Sequence, residues 1–303
     1  MAGMTLKQLE AFYWAATCAS FAVAAQRLHL SLSSLSKRIA ELEASLGQAL
    51  FDRSGHRAAL TDAGSHLLPQ ARQLLQAAES VRQSVAQRTG LHGVCRFGVG
   101  ELTALTWLPR LVRRMQQQHP GLTPEPSVDI GEVLERRVEA GELDFAIVAG
   151  RSSRSGITSV PVAQALFAWC AAPALVGRAR TLSPALLTDH ALVTLPTGAG
   201  TTRILDDWLA AQLGGLAPRR LVCNHWGGVA GMLVEGAGIG LLPQAWAWAL
   251  QRRGALRVLV AKPALAPLPY AFQWRRDDAR PVVAALRELA QASADFSVAG
   301  ALF

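Results

Sequence analysis

The stretch AVAAQRLHLSLSSLSKRIAELEASLG, residues 22–47, decides how the N-terminal part of this 303-residue chain folds. Its first third predicts a short alanine-rich helix that ends near Leu28, and Ser31 is a good N-cap for a longer helix. The apolar face of the longer helix consists of Leu35, Ile39, Leu42 and Leu46. Their spacing of i, i+4, i+7 and i+11 is typical of a helix that packs one side onto a core.

The opposite face of this longer helix is small, hydroxylated and cationic at its N-terminal half. It carries Ser33, Ser34, Ser36, Lys37 and Arg38. Small side chains permit close approach to a major groove, hydroxyls reach phosphates or base edges, and the helix N-terminus favours phosphate. A short helix, a tight turn and a helix with this face form the helix-turn-helix layout. A solvated helix in a three-helix bundle has similar features, so the helices alone leave both interpretations open.

The flanking segments favour DNA binding. Thr5 and Gln8 form a capping-box pattern that predicts one further helix upstream. Downstream, ALFDRSGHRAALTDAG, residues 49–64, predicts two short strands around a turn with Arg53, His56 and Arg57 at its tip. A basic hairpin directly after such a helix is a wing, and we expect it to contact backbone phosphates.

Residues 6–64 resemble the winged helix-turn-helix of LysR-type transcriptional regulators. The resemblance is carried in order by the motifs L-x-x-L-x-x-F, S-F-x-x-A-A-x-x-L-x-x-S, L-S-x-x-I-x-x-L-E-x-x-L-G, L-F-x-R and L-T-x-A-G. It implies a DNA-binding domain over residues 1–61, with contacts from His29, Ser31, Ser33, Ser34, Ser36, Lys37, Arg38, Arg53 and Arg57. Leu32 stands where family members commonly have glutamine, and leucine cannot form a hydrogen bond to a base there.

The segment 62–92 predicts a long helix followed by a hinge. Its apolar residues fall at alternating spacings of four and three: Leu67, Ala71, Leu74, Ala78, Val81 and Val85. From the residues alone, this stripe packs either on the rest of the chain or on a partner. The resemblance implies that it pairs with the same helix of a second subunit, giving a homodimer and, from pairs of dimers, a homotetramer.

From Gly93 onward, strand and helix patterns alternate, which predicts an α/β domain with a mainly parallel sheet. Their order suggests lobe I at about 93–162 and 268–303, and lobe II at about 163–267. The resemblance continues through GELDFAIV, EGAGIGLLP and LPYAFQWRRD. It implies a two-lobed, periplasmic-binding-protein-like α/β effector domain that holds a small molecule between its lobes.

Three stretches at strand ends are candidates for that effector site: GELTAL, PTGAGTTR and NHWGG, which start at residues 100, 196 and 224. The predicted contacts are Glu101, Leu102, Thr103, Ile130, Gly131, Val148, Thr197, Thr201, Thr202 and Trp226. Backbone amides at helix starts suit an anion, and we expect Glu101 to disfavour a second negative charge. The effector is therefore predicted to be a monoanionic or neutral polar organic acid or aromatic. The competing interpretations are that residues 196–203 form a flexible loop, that Glu101 caps a helix, and that Trp226 belongs to the core.

Composition excludes several classes of protein. Half the residues are hydrophobic, and 30 Lys and Arg against 22 Asp and Glu give a net charge of +8, which favours polyanionic partners. The N-terminus has no signal-peptide pattern and no apolar run is long enough for a membrane span, so we expect a cytoplasmic protein without a membrane partner. The four cysteines are far apart in sequence, which predicts reduced thiols.

The function predicted from these features is that of a transcription factor and not of an enzyme. Neither a nucleophile elbow, a zincin motif nor a P-loop is present, and we expect no catalytic residue, no metal site and no cofactor. A secreted solute-binding protein would share the two lobes but would not begin with a winged helix-turn-helix. The predicted protein binds a dyad-symmetric operator in double-stranded DNA, responds to a small molecule, and contacts RNA polymerase.

Overall fold

The computed structural model describes residues 3–52, 58–85, 91–213, 218–278 and 280–299. Its N-terminal head is a three-helix unit with a two-stranded wing, followed by a long helix. The elements are α1 (Leu6–Thr17), α2 (Phe21–Arg27), α3 (Leu32–Leu46), β1 (Phe51–Asp52), β2 (Ala59–Leu60) and α4 (Asp62–Val85). β1 and β2 pair antiparallel, as the wing prediction requires.

Polar caps define the three helices of the head. Thr5 and Gln8 form the predicted capping box, and the hydroxyls of Ser20 and Ser31 accept hydrogen bonds from the amides of Val23 and Ser34. Gly47 ends α3 in the left-handed conformation at φ 67°, which glycine adopts without the steric cost of a Cβ. The caps leave the apolar faces of the helices free to share one core, which includes Leu9, Phe12, Leu35, Ile39, Leu42 and Leu50.

The C-terminal domain alternates strands and helices. Its elements are β3 (His92–Val99), α5 (Glu101–Thr106), α6 (Leu108–Gln118), β4 (Gly121–Val128), α7 (Gly131–Glu139), β5 (Phe145–Ala149), β6 (Ile157–Ala165), β7 (Phe167–Ala171), α8 (Pro173–Val176), α9 (Pro184–Asp189), β8 (Leu192–Thr194), α10 (Gly200–Leu213), β9 (Arg220–Val222), α11 (Trp226–Val234), β10 (Ile239–Pro243), α12 (Gln244–Arg252), β11 (Arg257–Leu259), β12 (Leu268–Arg275) and α13 (Pro281–Ser293).

These strands form two five-stranded sheets, one in each lobe. Lobe I has the order β4-β3-β5-β12-β6, and lobe II has the order β11-β7-β10-β8-β9. The predicted mainly parallel arrangement is confirmed, because four of the five strands of each sheet run in the same direction. The reversed strand is β12 in lobe I, which is antiparallel to β5 and β6, and β7 in lobe II, which is antiparallel to β10 and β11. These antiparallel strands flank the two crossings between lobes. The first crossing is at Leu166, since β6 continues to Ala165, past the predicted boundary at 162/163.

One hydrophobic core extends through both lobes. In lobe I, Phe145 lies between Phe97 and Phe272, with ring centroids 4.9 and 4.4 Å away. At the lobe boundary, Trp226 stacks on Phe167 at 5.8 Å. The four cysteines are free thiols, of which Cys95 and Cys170 are buried and Cys18 and Cys223 are half-buried. Among the described residues, no helix is long and apolar enough to cross a membrane.

Candidate functional site

Helix α3 has two chemically distinct faces. Leu35, Ile39 and Leu42 are completely buried in the head core. Ser33, Ser34 and Lys37 are exposed, and Ser36 and Arg38 are half-buried on the same helix. The first two turns therefore present hydroxyls and a cation at the surface of the head, a combination that suits phosphates and base edges.

The serines at the start of α3 form a local hydrogen-bonded group. Ser31 Oγ accepts from the Ser34 amide at 3.1 Å and lies 2.8 Å from Ser34 Oγ and 3.0 Å from Ser33 Oγ. This group fixes the first turn of α3 before any ligand binds. The neighbouring Leu32 is 52% exposed, so an apolar side chain occupies the surface beside the hydroxyls.

A cavity of about 890 Å³ lies between the lobes. Nine of the ten predicted effector residues line it: Glu101, Leu102, Ile130, Gly131, Val148, Thr197, Thr201, Thr202 and Trp226. Thr103 does not line it and is completely buried in lobe I. The reason is helical geometry, because two residues along α5 turn the side chain about 200° away from Glu101.

At the lobe II end of the cavity, Glu101 reaches across to α11. Both of its carboxylate oxygens accept a hydrogen bond from the Trp226 amide, at 2.9 and 3.1 Å, and His225 Nε2 lies 3.2 Å from Oε1. His225 Nδ1 in turn accepts from the amides of Gly227 and Gly228, at 3.1 and 3.4 Å. Partial burial raises the pKa of the Glu101 carboxyl, and the Trp226 amide and His225 oppose this shift.

The start of α10 forms another wall of the cavity. Thr202 Oγ1 lies 3.1 Å from the carbonyl oxygen of Leu195 and 3.0 Å from that of Pro196, so this hydroxyl donates within its own loop. Thr201 is 94% buried, and its Oγ1 has no hydrogen-bond partner among the described residues. Arg151 and Arg203 also line the cavity.

Two family models match the chain. The model of the bacterial regulatory helix-turn-helix protein, lysR family, matches residues 6–65, and that of the LysR substrate binding domain matches residues 88–295. The chain belongs to the LysR family of bacterial transcriptional regulators. A LysR-type protein combines, in one chain, a DNA-binding head and a domain for a small-molecule effector, which are the two sites described above.

Individual relatives agree with this assignment. A probable hydrogen peroxide-inducible genes activator of Mycobacterium avium is 33% identical over 197 residues, which cover 64% of this chain and 63% of that relative. The transcriptional regulator TfdS of Cupriavidus pinatubonensis is 29% identical over 95% of this chain and 98% of its own. Among solved structures, a hydrogen peroxide-bound cysteine-to-serine mutant of Corynebacterium glutamicum OxyR is 26% identical, covers 97% of this chain and 95% of its own, and has a TM-score of 0.58.

The two threonines of this LysR-type cleft differ in what their hydroxyls do, and this difference is testable. We expect Thr202→Val to lower the free energy of unfolding by about 1 kcal/mol, because two loop carbonyls lose their donor. Thr201→Val is the matched control and removes a hydroxyl without a partner among the described residues, so its stability should be unchanged or slightly higher. Urea unfolding measures both, and equal losses in the two variants would contradict the assignment.

The predicted dimerisation stripe of the LysR-type linker helix divides along α4. Leu67 and Ala71 pack on the core of the head. Further along, Leu74 is 46% and Val81 61% exposed. The side chain of Val85 lies outside the described part of the chain. Dimer pairing through this stripe, Ala78 included, stays a prediction, with Leu74 and Val81 as its surface residues.

The head of this LysR-type protein is docked on its own lobe I. Arg27 of α2 pairs with the buried Asp144 and donates to the Gly141 carbonyl oxygen at 2.7 Å. Asp144 also accepts from Arg280 at 2.6 Å, and from the Arg96 amide at 2.9 Å. The Trp14 ring contacts both guanidiniums, with Arg27 at 4.1 Å and Arg280 at 5.3 Å from its centroid.

Further backbone contacts support this docking. The Ala19 amide donates to the Ala140 carbonyl oxygen at 2.9 Å, and Arg275 donates to the Thr17 carbonyl oxygen. His29, predicted to contact phosphate, lies with Nε2 3.5 Å from the Arg96 guanidinium of lobe I. Its phosphate contact stays a prediction, as do those of Arg53 and Arg57, which lie outside the described residues together with His56.

Sequence reasoning missed the docking residues Trp14, Arg27, Asp144 and Arg280 completely. They are up to 266 positions apart, and no local pattern links them. It also missed His225, although this residue lies inside the NHWGG stretch that was singled out. A histidine directly before a predicted helix start was a usable signal, because Nδ1 accepts from free amides as an N-cap hydroxyl does.

Proposed function

We propose that this LysR-type protein binds a dyad-symmetric DNA site as a homodimer or homotetramer, with one α3 in each successive major groove. The observation that supports it best is the separation of faces on α3. One face is completely buried, and the other exposes hydroxyls and a cation at a helix N-terminus. Pairing of two chains through Leu74 and Val81 of α4 would place two heads side by side, as a two-fold symmetric operator requires.

We further propose that an organic acid or aromatic molecule with one acidic group binds in the interlobe cavity. The start of α10 suits the acidic end, because helix-start amides are donors and Thr201 Oγ1 has no protein partner among the described residues. Trp226 and Leu102 supply apolar wall. Binding would change the lobe geometry, and through the docked head it would change DNA bending or contact with RNA polymerase.

The test of DNA binding is the substitution Lys37→Ala. If Lys37 contacts a phosphate, affinity falls for operator and random DNA alike, and the slope of log K against log salt decreases by about 1. If it contacts a guanine, the loss is about 1–3 kcal/mol and is confined to the operator. Gel-shift titrations over a salt series distinguish the two contacts.

Arg113→Ala serves as the control for Lys37→Ala. Arg113 lies on α6 in the C-terminal domain, so this variant removes the same charge far from α3. Its affinity and salt slope should match the unsubstituted protein. Equal behaviour of the two variants would show that the exposed face of α3 does not contact DNA.

A further inference from the structure

The N-terminus of α11 is fully occupied by groups of the protein itself. The Trp226 amide donates to Glu101, and the amides of Gly227 and Gly228 donate to His225 Nδ1. The next amide, of Val229, makes the first regular hydrogen bond of the helix, to the His225 carbonyl oxygen at 3.0 Å. The three amides of the first turn, which have no partner within the helix, therefore already have acceptors.

The acceptor at the first of these amides comes from the other lobe. Glu101 follows β3 in lobe I, whereas His225 and Trp226 follow β9 in lobe II. The carboxylate is therefore a direct polar link across the mouth of the cavity. His225 Nδ1 acts as an acceptor, so in the neutral ring the proton is on Nε2, where it faces Glu101 Oε1 at 3.2 Å.

We propose that Glu101 is a built-in carboxylate ligand of α11. It links the two lobes by hydrogen bonds and prevents anions from binding at that end of the cavity. This deepens the proposed effector site, on which it rests, by naming what that site excludes. An acidic effector would place its one anionic group at α10. Whatever group approaches α11 would be a hydrogen-bond donor to Glu101, such as an amine, amide or hydroxyl. A dicarboxylate would meet a carboxylate where its second charge has to go.

The charges around the cavity agree with this exclusion. Its lining carboxylates are Glu101, Asp129, Glu132, Glu135, Asp206 and Asp207, against the guanidiniums of Arg151 and Arg203. Three of these carboxylates are paired with arginines outside the lining, in the pairs Glu132–Arg136, Glu135–Arg154 and Asp206–Arg220. The other three outnumber the two lining arginines, so the wall offers no excess of arginine charge to a dianion. Like charges at close range in a cleft repel strongly.

The first experiment removes the built-in ligand and supplies it from solution. In full-length Glu101→Ala, the Trp226 amide and His225 Nε2 lose their acceptor. We expect acetate to bind there and raise Tm by about 2–4 °C at tenfold its dissociation constant, relative to sodium chloride of the same ionic strength. Acetamide, which has the same shape without the charge, should have little effect. The unsubstituted protein should respond more weakly to acetate than the alanine variant, because only the start of α10 is open to the anion.

The second experiment tests the exclusion of a second charge. Calorimetric titration with succinate, glutarate and adipate should show binding to Glu101→Ala that is at least about tenfold tighter than to the unsubstituted protein. Glu101→Gln is the matched variant, since it fills the space without the charge. Its acetate response should not exceed that of the unsubstituted protein. It also keeps the test valid if the alanine variant does not fold, because its dicarboxylate affinity should exceed that of the unsubstituted protein.

Three results would overturn the proposal. They are an equal acetate response in the alanine variant and the unsubstituted protein, no acetate response in a folded alanine variant, and tight dicarboxylate binding with Glu101 in place. These measurements do not involve DNA or the natural effector. A result that contradicts the Glu101 proposal is therefore distinguishable from one that contradicts the proposed regulatory function, because the latter is tested by the Lys37 and salt-slope measurements.

Discussion

Asp144→Ala is expected to lower the free energy of unfolding by about 3–5 kcal/mol, because it leaves the buried Arg27 and the partly buried Arg280 without their shared carboxylate. Arg27 and Asp144 expose only 9% and 4% of their side chains. Arg280 retains Asp278, but Arg27 keeps only the Gly141 carbonyl oxygen and the face of Trp14 among the described residues. In a thermal scan, Tm should fall by roughly 6–15 °C.

The same substitution should release the head from lobe I. Hydrogen exchange should become faster at the Ala19 amide, which bonds to the Ala140 carbonyl oxygen across the interface. Asp206→Ala is the matched control, since it removes an exposed partner of Arg220 and should cost no more than about 1 kcal/mol. An Asp144→Ala variant as stable as this control would show that the docking network contributes little.

The effect of Asp144 also has a predicted pH dependence. Burial by itself would raise the pKa of this carboxyl, but Arg280 and Arg27 outweigh burial and hold the pKa below its usual value. A depressed pKa stabilises the folded state above the pKa of the unfolded chain, and this contribution is lost as pH falls through the folded value. The stability gap between Asp144→Ala and the unsubstituted protein should stay constant down to about pH 4 and narrow below it.

The second large effect is expected from Leu74→Glu on α4. Leu74 is 46% exposed in the single chain, so the substitution should cost the protomer little stability. In the proposed dimer it would place two carboxylates in an apolar seam. The lost burial of Leu74 would weaken dimerisation by about 1.5–3 kcal/mol per chain. The dimer dissociation constant should therefore rise by roughly two to four orders of magnitude.

Operator affinity should fall with the dimer, because two linked heads bind with a high effective concentration and a single head does not. Sedimentation velocity measures the assembly, and gel shift measures the operator complex. Gln73→Glu adds the same charge one position away, outside the stripe, and should remain dimeric. A folded Leu74→Glu dimer of normal affinity would mean that the chains pair through another surface.

The sequence predicted the elements whose signals are local. Caps and apolar spacing within α3 lie inside a fifteen-residue window, and the wing strands flank their own turn, so both follow from short-range physics. The side of α5 that faces the cavity was harder to predict from the sequence. Without the observed start of α5 at Glu101, nothing showed that Thr103 turns inward while Leu102 and Ala104 line the cleft.

Contacts between distant segments could not be predicted. The reversed directions of β7 and β12 depend on where the chain crosses between lobes, and β6 and β7 are separated only by Leu166. Glu101 and Trp226 are 125 positions apart, and each had several plausible roles on its own. Their hydrogen bond depends on how the lobes are arranged, which is a property of tertiary packing and not of a sequence window.

The two faces of α3 also have a consequence for how the DNA targets of such a regulator change during evolution. The three residues that hold the helix in the head are completely buried, and Glu43 accepts from the amides of Leu50 and Phe51 at 2.8 and 3.2 Å. If the exposed face of α3 enters the groove as proposed, substitutions at Leu32, Ser33 or Lys37 change what the helix reads with little cost to folding. A duplicated gene could acquire a new set of target promoters through a few surface changes, while its fold and its response to the same metabolite are inherited intact.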